Sequence, residues 1–179
     1  MARRTASRFA LPATAALAAA ALFAPAAPAH ADVIQVVCGG SQTTTYTPGL
    51  TNTPQTVQRS GTNIHTPCVS TLPPFSFSGS TSFTSTTTLS CLSLTEANTG
   101  TDVIAWTTGR TSTFAYNRTV TIVQGQTVVT LTGSITAGDF AGATAVETIT
   151  SVNLDLTACV TPQGVTSTYG VSELTITGL

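Results

Sequence analysis

Few residues of this chain could carry acid–base or nucleophilic chemistry. The 179 residues hold two histidines, His30 and His65, and no lysine. A Ser-His-Asp or Cys-His device needs an imidazole to take the nucleophile's proton. His65 lies in Asn63-Ile64-His65-Thr66-Pro67-Cys68, which reads as an exposed loop, and no Gly-x-Ser-x-Gly elbow is present. A Ser-Lys mechanism and a lysine-derived isopeptide staple are excluded by the missing lysine. Glycoside hydrolysis needs two carboxylates at a set separation, one with a raised pKa. Glu147 and Asp155 share a parity opposite Val146, Val152 and Leu156 and are expected to face water, while Glu96 and Asp102 fall in a loop. The acids therefore read as solubilising surface. No catalytic residue, cofactor or enzyme activity is expected.

Four cysteines, Cys38, Cys68, Cys91 and Cys159, predict two disulfides if the chain is exported. Three pairings are possible. Cys38–Cys68 with Cys91–Cys159 is favoured, because the first two bracket an irregular region and the last two sit in strand-like text. No metal site is expected, since there is no Cys-x-x-Cys and His65 is the one histidine beyond the leader.

Arg118 falls on the parity of Phe114, Tyr116, Val120 and Ile122, where a core residue belongs. An inward arginine must be paired or hydrated. Inside a barrel it could meet a ligand, with Trp106, Phe114 and Tyr116 as walls. A strand end, a local bulge or a structural ion pair would explain it equally. Cys68-Val69-Ser70-Thr71-Leu72-Pro73 is a candidate protease-inhibitor bait. The recurrent Thr-x-Thr pairs suggest an ice-matching ladder, but the turns are too unevenly spaced. Asn117-Arg118-Thr119 is a glycosylation sequon.

The elements that position these residues follow an export signal. Arg3, Arg4 and Arg8 precede an apolar run from Leu11 to Phe23, and Ala29-His30-Ala31 fits a signal-peptidase site. The run is too short for a bilayer-spanning helix. Residues 1–31 are thus a cleaved signal, and 32–179 form one secreted domain with no membrane attachment. Beyond residue 31, three arginines against seven carboxylates leave a formal charge of −4, compared with −1 for the whole chain. Nucleic-acid and anionic-lipid binding are disfavoured. Thirty-seven threonines make up a quarter of the 148 mature residues and supply the polarity that charges do not. Threonine favours strands while its hydroxyl meets water.

Residues 32–38 read as a first strand. Residues 39–74, broken by Gly39-Gly40, Pro48-Gly49, Pro54, Gly61, Pro67 and Pro73-Pro74, read as an irregular part with short or edge strands. Regular strands fill 75–179. The clearest hairpin turns at Gln124-Gly125-Gln126, and a bulge is expected at Gly170. Nothing there has helical periodicity. Long strands with short connections predict an all-β, single antiparallel domain, with an up-and-down β-barrel favoured and a β-sandwich as the alternative.

Several segments resemble small secreted proteins of actinomycetes, Streptomyces in particular. They are Cys38 followed by Thr43 to Thr51, then Gln126 to Gly133, Asp139 to Thr144, and Leu156 to Gly164. The resemblance covers nearly the whole mature chain. It implies export and an actinomycete origin, but no reaction and no catalytic residue. Phe140-Ala141-Gly142-Ala143-Thr144 also resembles a strand-start motif of allene oxide cyclase and dirigent barrels, which implies a barrel.

The expectation is a secreted, non-catalytic extracellular protein, a binding or envelope-associated module. Its partner would be an extracellular protein, a glycan or a small apolar ligand. The alternatives are a carrier of a small apolar ligand and a secreted protease inhibitor. The signal makes one direct prediction. Intact mass of the protein recovered from culture medium should correspond to a chain beginning at Asp32, about 4 Da below its fully reduced value for two disulfides.

Overall fold

A computed structural model describes residues 34–151 and 156–178. The signal region, Asp155, Val152 and Leu154 lie outside the described residues. Eight strands run β1 Ile34–Leu50, β2 Gln55–Ser70, β3 Ser76–Leu89, β4 Asn98–Trp106, β5 Thr111–Val123, β6 Gln126–Gly138, β7 Thr144–Ser151 and β8 Val165–Gly178. Each pairs antiparallel with its chain neighbours, and β8 returns to β1, closing an up-and-down barrel. The favoured architecture is the one observed. Closure removes sheet edges without needing a second sheet.

The Gln124-Gly125 turn has φ of 51° and 79°, both positive, as a two-residue turn between right-twisting strands requires. The irregular N-terminal part is a correction: residues 39–74 carry two of the longest strands. The breakers sit where a ladder can absorb them. Gly39 falls at the β1–β2 register shift between Cys38 and Gly40, and Pro67 at the β2–β3 shift between His65 and Cys68. A proline at a bulge removes no ladder hydrogen bond. The bulge expected at Gly170 is elsewhere. Gly170, Ser172, Leu174 and Ile176 are all buried, and the β1–β8 irregularity lies between Thr45 and Leu50.

The interior is divided along the barrel axis. One end is solid. Val36, Phe77, Ile104, Trp106, Phe114, Ile135, Leu174 and Ile176 pack there around the Cys38–Cys68 disulfide. Trp106 meets Phe77 and Phe140 edge to face, and its Nε1–H donates to Ser112 Oγ at 2.8 Å. The other end is capped by two short 3₁₀ turns, Cys91–Leu94 and Leu156–Val160, joined by the Cys91–Cys159 disulfide. Tyr46, Leu50, Val57 and Val165 pack beneath them. The Cys91 N–H donates to the Thr51 carbonyl at 2.8 Å, and the Asn52 N–H to the Cys159 carbonyl at 3.3 Å. Three connections at this end are thereby tied to one another.

One seam differs from the rest. β3 and β4 share two residue pairs, Gly79↔Trp106 and Ser80↔Ala105, next to the solid end. Beyond Ser80 no residue of β3 pairs with β4.

Both disulfides match the favoured pairing. Cys91–Cys159 closes a separation of 68 residues and Cys38–Cys68 one of 30. Loop-closure entropy assigns roughly 4 kcal/mol to each. Replacing both Cys91 and Cys159 by Ser should lower the urea-unfolding free energy by roughly 2–4 kcal/mol. Far-UV circular dichroism should remain that of the barrel, because the solid end is untouched.

Candidate functional site

Between the solid end and the capped end lies a cavity of about 290 Å³. All eight strands contribute to its wall, so it is the lumen of the barrel. Strand alternation determines what reaches it. On β1, Gln42, Thr44 and Tyr46 point inward; on β5, Tyr116 and Arg118; on β6, Thr127, Val129 and Leu131. β2 contributes Arg59, β3 Phe83 and Ser85, and β4 the stretch Asn98 to Asp102. The lining is mostly polar, unlike the apolar lining usual for drug-sized ligands.

Two aromatic rings lie flat on the wall because glycine leaves them room. A Cβ at Gly100 would come within 2.4 Å of the Tyr116 hydroxyl, and one at Gly61 within 2.5 Å of the Phe83 ring. The Arg59 guanidinium stacks over Phe83 with its carbon 4.9 Å from the ring centre. Its Nε is buried with no hydrogen-bond partner, as is the hydroxyl of Ser85, its partner across the β2–β3 ladder. Arg118 is held differently. Its Nη2 donates to the Leu94 carbonyl at 3.0 Å and its Nη1 to the Glu96 carbonyl, fixing the β3–β4 connection.

Electrostatics follow from partial burial. Burial pushes the Asp102 carboxyl up, against a Tyr116 hydrogen bond and the field of Arg59. Burial, then the Asp102 charge, pushes Tyr116 up to about 12. Burial lowers Arg118 and raises Tyr46, which also hydrogen-bonds Thr168.

Beside the lumen, next to residues lining it, sits a second polar group. Asn63 Nδ2 donates to Glu147 Oε1 at 2.5 Å, and the Ser172 hydroxyl donates to Asn63 Oδ1 at 3.1 Å. His65 Nδ1 stands 3.8 Å from Glu147 Oε1 and has no hydrogen-bond partner. Burial pushes Glu147 up to about 7, opposed by the Asn63 bond, and burial lowers His65 to about 4. At mildly acidic pH the pair is therefore uncharged, with the proton on the carboxyl.

No protein-family model, no curated protein and no solved structure matches this chain.

Of the four ligand candidates from the sequence, Tyr116 and Arg118 line the cavity, whereas Trp106 and Phe114 belong to the solid core. Arg118 lies within β5, not at its end, and has no ion pair among the described residues. Three expectations are corrected: Asp102, expected in a surface loop, lies within β4 and lines the lumen, and two further residues expected at the surface are buried. His65 is 1% exposed within β2, and Glu147 is 3% exposed within β7. The inward set on β7 is Ala145, Glu147 and Ile149, preceded by buried Ala143, and the larger Val146 faces out at 41%. Small alanines hid the true parity. Arg59, Asn63 and His65 were legible as the alternation Val57, Arg59, Gly61, Asn63, His65, but the glycines and prolines around it suggested a loop. The candidate bait loop is a bend at the solid end. It is tied by Ser70 N–H to the Phe75 carbonyl and Thr71 N–H to the Gln35 carbonyl, both at 3.0 Å.

The buried pair predicts a pH signature. Glu147 has a folded pKa above its unfolded value, so it holds a proton in the folded state that the unfolded chain releases. Its contribution to stability falls as pH rises from about 4.5 to about 7, by roughly 3 kcal/mol. His65 has a folded pKa below its unfolded value, so its contribution rises with pH from about 4 to about 6.5, by a similar amount. The two cancel over their shared range. In Glu147→Gln the His65 slope should stand alone, and urea midpoints should climb from pH 4.5 to 6.5. A variant as flat as the parent would contradict this assignment.

Proposed function

We propose that this chain is a secreted, non-catalytic β-barrel that binds a small polar molecule in its lumen. The observation that carries this reading is the cavity of about 290 Å³, reached by side chains of all eight strands in a barrel otherwise packed solid. Its lining favours a polar occupant over the small apolar ligand of the carrier alternative. The two disulfides are consistent with an oxidising, extracellular setting.

The placement of titratable groups supports binding over catalysis. His65 is not part of the cavity lining and no hydroxyl is bonded to its Nδ1. Glu147 engages Asn63, and Asp102 shares the lumen with two arginines and Tyr116. None of these forms a nucleophile–base pair.

Native mass spectra of protein purified from culture medium provide the test. An adduct that survives native spraying and leaves on denaturation is expected. Thr127→Phe, which fills the lumen from β6, should fold and lose the adduct. Bare protein, together with no thermal stabilisation by a library of polar metabolites, would count against a lumenal ligand.

A further inference from the structure

The cations of this protein are oddly distributed. Of its three arginines beyond the signal region, Arg110 is on the surface and pairs with Asp139 at 2.5 Å. The other two, Arg59 and Arg118, line the lumen, and neither has a carboxylate within 4 Å among the described residues. A chain with a net negative mature charge has spent two of three cations inside. Such placement is unfavourable unless an anion offsets it.

Arg59 is the centre of this arrangement. Its charge acts on Tyr46, Asp102, Tyr116 and Arg118 alike. Arg118 has two of its nitrogens committed to the Leu94 and Glu96 carbonyls. Arg59, by contrast, has a buried Nε–H without an acceptor, opposite the equally unpartnered hydroxyl of Ser85. The Arg59 guanidinium lines the lumen, and the planar fork of N–H donors on a guanidinium matches the two oxygens of a carboxylate. Among the described residues Asp102 is the one carboxylate of the lining, so the two arginines outnumber it there. The rest of the lining sets the body of the ligand. Thr44, Thr127 and Thr168 offer hydroxyls, and Asp102 accepts, which suits a molecule rich in OH groups. The faces of Tyr46 and Tyr116 suit a flat, partly C–H ring.

Resting on the lumenal-binding reading above, we infer that the ligand is a small hydroxylated organic acid of the uronic-acid class, its carboxylate held by the Arg59 guanidinium. A single charge satisfies the cavity. A neutral sugar would leave Arg59 unpaired, and an apolar acid would strand the hydroxyl array.

Calorimetric titration of the mature protein with pairs matched in stereochemistry but differing in charge tests this: glucuronate against glucose, galacturonate against galactose, and mannuronate against mannose, with inorganic phosphate as a bare anion. At least one uronate should bind about tenfold or more tighter than its neutral partner, a difference of about 1.4 kcal/mol, and tighter than phosphate. Arg59→Gln should fold, keep or raise its Tm because an uncompensated charge is gone, and lose the preference. Arg59→Lys should recover part of it. Neutral sugars binding as well as uronates, or phosphate binding equally well, would overturn the assignment while leaving lumenal binding in place. So would failure of all three uronates in a protein whose native spectrum shows another adduct. Failure of all probes in a protein with no adduct would remove both. A uronate preference unchanged in Arg59→Gln would overturn the role of Arg59.

Discussion

Closure of the sheet by the β1–β8 ladder, from Ile34↔Gly178 to Leu50↔Val165, is the constraint on which the rest depends. Once the first strand pairs with the last, every inward position on eight strands shares one interior. An eight-stranded barrel is just wide enough for side chains to fill. Whether a given level is solid or hollow then depends on residue size and polarity alone. At one end Trp106, Phe114 and Phe77 fill it. At mid-height glycines at 61 and 100 let Phe83 and Tyr116 lie against the wall, and the centre stays open.

The same closure explains how polar groups are tolerated inside. Asn63 bridges Glu147 and Ser172, so β2, β7 and β8 are linked by side chains as well as through the neighbouring ladders. Glu147 and His65 avoid the cost of buried charge by staying neutral at mildly acidic pH. The two lumenal arginines have no such escape, since a guanidinium does not give up its proton in the accessible range. Carbonyl acceptors meet part of Arg118's demand, and the Phe83 face meets part of Arg59's. The polarity of the lumen is thus graded, from groups that can neutralise themselves to groups that cannot.

Much of the fold was legible because threonine-rich alternation is hard to mistake. The β5–β6 hairpin turns at Gln124-Gly125, and both disulfides pair as their positions suggested. The site was legible in part. Arg118 and Tyr116 stood out because they interrupt an apolar series. His65 and Glu147 were hidden for opposite reasons. Around His65 the glycines and prolines looked like loop text, yet they occupy bulges that leave the strand intact. Ahead of Glu147 the buried residues of its parity are alanines, so the bulkier outward Val146 imitated a core position. A hydrophobic pattern reports the face of a strand only where that face is filled with large side chains. A lumen that is partly hollow and polar erases the signal.

The β3–β4 seam gives the barrel an asymmetry of its own. All other adjacent strands are joined along much of their length, whereas here two residue pairs complete the ring. Parting those two pairs converts a cylinder into a curled ribbon whose order runs β4-β5-β6-β7-β8-β1-β2-β3. The ribbon's free margins would remain joined by residues 90–97, which the Cys91–Cys159 bridge and the Arg118 bonds fasten in place. Amide exchange with solvent will therefore be fastest along these margins, and the barrel will breathe as a hinged cuff does, opening along one line.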